Sequence, residues 1–135
     1  MSNYGKLTIG TTNEAKVKQI RGALVPLGVN VEGVADKSLL PQVKEDGSTA
    51  QENARKKALS YARALEKTVL SMDNALYFDG LSQEEQPGIN VRRIGGRNDR
   101  PTDQELLDFY SHKIASIGNE IKGYWEFAIC VATPS

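Results

Sequence analysis

Apolar and polar positions change their period several times along the chain. Leu7-Thr8-Ile9-Gly10 predicts a short strand. After Thr11-Thr12-Asn13, the residues Val17, Ile20 and Leu24 recur at helical spacing, and Pro26 and Gly28 end that helix. Val29 to Val34 alternates apolar and polar residues like a second strand, and Leu39 to Gly47 reads as a charged loop. Thr49-Ala50-Gln51-Glu52 has the form of a capping box, with Thr49 accepting from the Glu52 amide and the Glu52 side chain reaching back. The helix behind it runs to about Glu66, with Ala54, Ala58 and Ala62 at four-residue steps that suit close packing on a sheet. Thr68 to Ser71 predicts a buried strand, and Leu76 to Phe78 a separate short extended piece. Ser82 to Arg100 is mostly loop. Thr102-Asp103-Gln104-Glu105 is a second capping box, and Leu106, Leu107, Tyr110, Ile114 and Ile117 mark the face of the helix it opens. Tyr124 to Thr133 alternates, with Trp125, Phe127, Ile129 and Val131 pointing one way. Strands alternating with helices predict an α/β fold, a β-sheet flanked by helices, whose last strand could pair in either direction.

Composition narrows the class. The 135 residues, 39% hydrophobic and 25% charged, suit a single globular domain over 1–135 and exclude a disordered or collagen-like chain. The 17 basic and 17 acidic side chains cancel. Duplex-binding proteins carry a basic excess, so no nucleic-acid partner is expected, and an anionic ligand must be held by local charge. The single cysteine, Cys130, cannot form an internal disulfide and stands among apolar neighbours as a small core residue. No apolar run reaches the roughly 18 residues of a membrane span, and the N-terminus lacks a signal pattern, so the expected setting is cytoplasmic.

Four segments could carry chemistry. Thr11-Thr12-Asn13-Glu14-Ala15-Lys16 joins a strand to a helix, where free amides and the helix dipole attract anions, and Lys16 could lean back to the same anion; an ordinary helix cap with a solvated lysine is the plainer alternative. Glu45 precedes the second helix, where Asn53 and Lys57 share a face and Lys57 could meet a phosphate; a solvated amphipathic face is the alternative. Asp73 stands where a buried apolar strand is expected to end, the usual ligand position in α/β folds. It could hold a hard cation, accept a proton from water, or merely close an Asx-turn. Glu45 and Asp73 together could hold Mg²⁺ while substrate phosphates fill its other positions. Arg92 to Arg100 offers arginines that suit phosphate, or a solvated loop paired with Glu84 and Glu85. His112 is expected at the surface of a helix.

In order and spacing these segments resemble the Ham1/RdgB family of inosine/xanthosine triphosphate pyrophosphatases. Thr11 to Lys16 resembles the family's Thr-Gly-Asn-x-x-Lys. Glu45 to Ala54, with Lys57-Ala58, resembles Glu-Thr-Gly-x-Thr-Phe-x-Glu-Asn-Ala-x-x-Lys-Ala. Ser71 to Leu76 resembles Ala-Asp-Asp-Ser-Gly-Leu, Asp79 fits the Val-Asp-Ala-Leu that follows, and Pro87-Gly88 with Arg93 fits Pro-Gly-x-x-Ser-Ala-Arg. The resemblance implies an ITPase/Maf-like α/β fold and Mg²⁺-dependent hydrolysis of nucleoside triphosphates with deaminated purines, such as ITP, XTP and dITP, to monophosphate and pyrophosphate. It implies Asp73 as the catalytic carboxylate and Glu45 and Asp73 as metal ligands. Thr11, Thr12, Asn13, Lys16, Asn53, Lys57, Asn74 and Arg93 would bind substrate. The chain departs from the pattern at Thr12 (for Gly), at Met72 (for the first Asp of the pair) and at Asn74-Ala75 (for Ser-Gly). The family's later Phe-Gly-Tyr-Asp-Pro and Ser-His-Arg segments are not in it, so a C-terminally shortened form of the fold is expected, with the exposed last strand covered in a homodimer or higher homo-oligomer. The other readings are a degenerate nucleotide- or phosphate-binding module without catalysis, and a truncated assembly domain.

Overall fold

Short apolar segments at the start of the chain form the parallel part of the sheet. The computed structural model describes residues 6–44, 46–91, 101–118 and 120–134. Strand β1 (Leu7–Ile9) lies between β2 (Val31–Gly33) and β3 (Val69–Phe78) and is parallel to both, in the register Leu7 with Val31 and Ile9 with Leu70. The sheet order is β2-β1-β3-β4, with β4 (Gly123–Ala132) at the far edge. β2 is shorter than the expected Val29 to Val34, because β1 offers it only three residues to pair with.

The chain divides into two compact units. The first holds Met1–Asp73 and Ala128–Ser135. Helix α1 (Glu14–Leu24) begins behind Asn13 and sets Ile20 against Ile9, Leu70 and Met72, with Val17 and Leu24 at the margin. A 3₁₀ turn, Val25–Leu27, takes up Pro26 and is closed by Gly28 in the left-handed region. Helix α2 (Ala50–Leu65) buries Ala54, Ala58 and Ala62 on one face together with Asn53, Lys57 and Tyr61. Ala58, Tyr61 and Ala62 join Val69 and Ala132 in a second apolar cluster, which Cys130 adjoins half-buried.

β3 corrects the sequence reading. Two extended pieces separated at Asp73 were expected, but one ten-residue strand runs through Asp73 and Asn74. Asp73 therefore closes no Asx-turn. It nevertheless lies beyond the point where β1 stops, since Ile9 is opposite Leu70. Alternation sorts the side chains of β3: Leu70 and Met72 join the α1 cluster, while Val69 joins the α2 cluster.

The second unit is Asn74–Phe127. Here Phe78 meets Tyr110, with ring centroids 6.2 Å apart, and Tyr77 stacks on Tyr124 at 5.1 Å. Gln86 accepts from the Phe78 amide at 2.8 Å and donates to the Phe78 carbonyl at 2.7 Å, as a neighbouring strand would. Helix α3 (Asp103–Ile117) starts with the expected capping box: the Thr102 side chain accepts from the Glu105 amide, and the Glu105 carboxylate accepts from the Thr102 amide. None of its residues is fully buried, and Leu107, expected on the apolar face, is exposed. Tyr110 donates to the Val91 carbonyl, and burial pushes its hydroxyl up to about 12. His112 is exposed, as expected.

The start of β4 meets the end of β3, with the Asp79 amide donating to the Lys122 carbonyl at 2.8 Å. Ala132 at its other end joins the cluster of Val69, so β4 runs antiparallel to β3. Its small residues Ala128 and Ala132 are buried, while Trp125, Phe127, Ile129 and Val131 are all at least half exposed.

Candidate active site

The turn after β1 is organised by its own side chains. The Asn13 amide donates to Thr11 Oγ1 at 3.1 Å, and Asn13 Oδ1 accepts from the Ala15 amide at 2.9 Å, capping α1. Thr11 is buried, Thr12 exposed, and Asn13 and Lys16 half-buried. Lys37, which no motif marked, donates to the Thr12 carbonyl at 3.3 Å and pairs with Glu14. The Lys37 hydrogen bond holds the Glu14 carboxyl below its usual range. Lys37 thus adds a cation beside the turn.

The loop before α2 differs in detail from the expected box. Thr49 Oγ1 accepts from the Glu52 amide at 3.1 Å, as predicted. The Glu52 carboxylate, however, accepts from the Ser48 amide at 3.1 Å and the Ser48 hydroxyl at 3.0 Å, one residue further back than expected. The cause is the close approach of Gly47. Its amide donates to Asn53 Oδ1 at 2.8 Å, and a Cβ there would stand 2.6 Å from Glu52 Cβ. Asn53, only 1% exposed, therefore holds this loop in shape through its carbonyl oxygen. Asp46 pairs with Lys56, whose hydrogen bond lowers the Asp46 carboxyl below its usual range.

One turn along α2 from Asn53, Lys57 is buried and donates to the Met72 carbonyl at 3.1 Å. Its Nζ lies 3.9 Å from Asp73 Oδ1, and both side chains are at most 12% exposed. A carboxylate inside a strand and an ammonium inside a helix face are tolerated this far from water because each compensates the other. Asn74 follows on β3, half-buried, at the start of the second unit.

The fold thus brings Lys57 and Asp73 together and ties the strand carrying Asp73 to the end of β1. Gly10, next to Thr11, donates to the Leu70 carbonyl at 2.8 Å. The expected metal ligand Glu45 and the expected phosphate contact Arg93 lie outside the described residues. Among the described residues there is no group of three or more His, Cys, Asp or Glu placed to hold a metal. Asp73, buried beside Lys57, offers a carboxylate oxygen. That fits Mg²⁺, which keeps several waters and commonly binds one or two carboxylates together with substrate phosphates. Met72 offers it nothing, being 5% exposed within the α1 cluster. No helix among the described residues is long and apolar enough to cross a membrane.

Similarity to known proteins follows the same segments. The chain is 36% identical over 136 residues to a dITP/XTP pyrophosphatase of Streptococcus thermophilus, covering 98% of this chain and 41% of that one. It is 34% identical over 134 residues to one from Exiguobacterium, covering 96% and 64%. It spans less than two thirds of the length of either relative. The structure of the Staphylococcus aureus Ham1 protein superposes with a TM-score of 0.70 at 27% identity, over 96% of this chain and 64% of that chain. A HAM1 protein from Coxiella burnetii shares the fold with a TM-score of 0.71 at 21% identity, over 93% and 62%. The Ham1 family model matches residues 7–133, and with it the turn after β1, the α2 segment and β3, so the chain belongs to the Ham1 family.

Proposed function

We propose that this chain hydrolyses nucleoside triphosphates, preferentially those with deaminated purines such as ITP, XTP and dITP, to monophosphate and pyrophosphate. The observation that carries the reading is the buried pair of Lys57 on α2 and Asp73 on β3, the strand that bonds Gly10 just before the turn after β1. The names of the Streptococcus and Exiguobacterium relatives supply the substrate class.

The chemistry needs positioning and charge more than covalent catalysis. The amides at the start of α1 and the cations Lys16 and Lys57 suit the anionic phosphates. Asp73 orients a water and takes its proton as the water oxygen bonds to phosphorus. The bridging P–O bond of the anhydride breaks, and pyrophosphate leaves as the second product. Mg²⁺, when held by Asp73 and Glu45, would neutralise phosphate charge. Thr11, Thr12 and Asn13 line the turn toward the same phosphates, while Asn53 keeps the loop after Glu45 in shape. Asn74 and Arg93 are assigned to substrate by resemblance alone. A cytoplasmic setting is part of this reading.

The test is pyrophosphate release from ITP, XTP, dITP, ATP and GTP with and without Mg²⁺. Metal-dependent release favouring ITP and XTP is expected. Release from none of them, combined with nucleotide-dependent thermal stabilisation, would instead mark a binding module. The apolar setting of Met72, where the family motif has a carboxylate, favours that second reading.

A further inference from the structure

Ser71 takes no part in the chemistry above, yet it is a polar residue only 1% exposed inside β3. A buried hydroxyl costs free energy unless it is hydrogen-bonded. Ser71 Oγ donates to the Gly10 carbonyl at 3.0 Å. Gly10 is thereby tied to β3 through both its carbonyl and its amide, the latter reaching Leu70. Thr11 follows directly, its hydroxyl accepting from the Asn13 amide, and Asn13 caps α1. An unbroken run of contacts therefore leads from Ser71 to the first turn of α1.

The arrangement depends on the absence of a side chain at Gly10. A Cβ there would stand 2.9 Å from Ser71 Oγ, 2.8 Å from the Tyr61 ring and 2.5 Å from Val69 Cγ1. Ser71 and Asp73 are two residues apart on one strand and share a face of it. The family motif to which this segment is similar has alanine at the Ser71 position, so filling the space does not itself call for a hydroxyl.

We propose that Ser71 is a positioning residue for the triphosphate. Its hydroxyl fixes the Thr11–Asn13 turn relative to Asp73, so that a phosphate held by the turn meets the carboxylate at a set spacing. This rests on the functional reading above.

Two variants test it. Ser71→Ala removes the hydroxyl; Ser71→Cys keeps the bulk but offers only a weak donor. Both are expected to raise KM for the preferred triphosphate about tenfold while kcat stays within about threefold, the scale of one lost hydrogen bond in the ground state. Both should also speed amide hydrogen exchange at Thr11 and Asn13. Wild-type KM and wild-type exchange in Ser71→Cys would overturn the proposal and leave Ser71 a packing residue. If the unmodified protein turned over none of the nucleotides, the functional reading would fall instead, and exchange would still decide: unchanged protection at Thr11 and Asn13 in both variants overturns the role of Ser71 in fixing the turn.

Discussion

Lys57 and Asp73 constrain each other, and substitutions at the two should separate charge from geometry. Asp73→Asn keeps the shape but cannot take a proton. It is expected to lower kcat by a factor of roughly 10² to 10⁴, the usual worth of a positioned general base. Lys57→Met keeps the length of the side chain but removes the charge, and should lower kcat/KM by roughly 10² with a rise in KM, because triphosphate charge is left less compensated. Steady-state kinetics beside a thermal melt checks both; full activity in Asp73→Asn would remove it from the mechanism. Much of this site could be read from residue order. The Asn13 cap and the Thr49 cap follow from spacing, whereas the pairing of Lys57 with Asp73 joins two segments that spacing left separate. Ser71 and Lys37 could not be found that way. Ser71 acts through a contact 61 residues distant in sequence, and Lys37 opens a single 3₁₀ turn, Lys37–Leu39, too short to give a periodic signal.

At the scale of elements, sequence patterning located the helices, drew β2 too long and divided β3 in two. Asp73-Asn74 has the polarity of a strand end, and the ammonium of Lys57, from another element, compensates the carboxylate where the strand continues through it. Local pattern carries no record of that compensation. In the same way the Glu52 side chain reaches Ser48 because Gly47 packs against Asn53, a contact no capping motif encodes. Two glycines should respond with opposite signs. Gly47→Ala forces a Cβ to within 2.6 Å of Glu52 Cβ and 2.8 Å of Asn53 Oδ1, and is expected to destabilise the protein by about 1–3 kcal/mol. Gly22→Ala lies within α1, where a Cβ meets nothing within 4 Å, and should stabilise it by about 0.5–1 kcal/mol. Urea unfolding midpoints at constant m-value check both.

For the whole molecule, β4 sets the main question. Its period-two pattern was plain in the sequence, but which face would be covered was not. Ala132 and Cys130 pack on the apolar cluster around α2 and Ala128 is buried, while Trp125, Phe127, Ile129 and Val131 are exposed. Edge strands with exposed apolar side chains invite pairing with another chain. We propose that a second copy covers this face. Sedimentation at about 10 μM should then give a mass above the 14.8 kDa of one chain. Trp125 is the sole tryptophan, so its emission should shift to the blue as the concentration rises. Trp125→Glu should return the protein to 14.8 kDa, and a single-chain mass for the unmodified protein would reject association. The alternation within β3 has a further consequence for how such a chain can change. Between Leu70 and Asp73 its even positions, Leu70 and Met72, serve the α1 cluster and its odd positions, Ser71 and Asp73, the opposite face, so point substitutions on one side leave the other intact, as Met72 beside Asp73 illustrates. A one-codon insertion or deletion between Val69 and Asp73 would exchange the two sets at once. This stretch can therefore drift in composition while its length stays frozen.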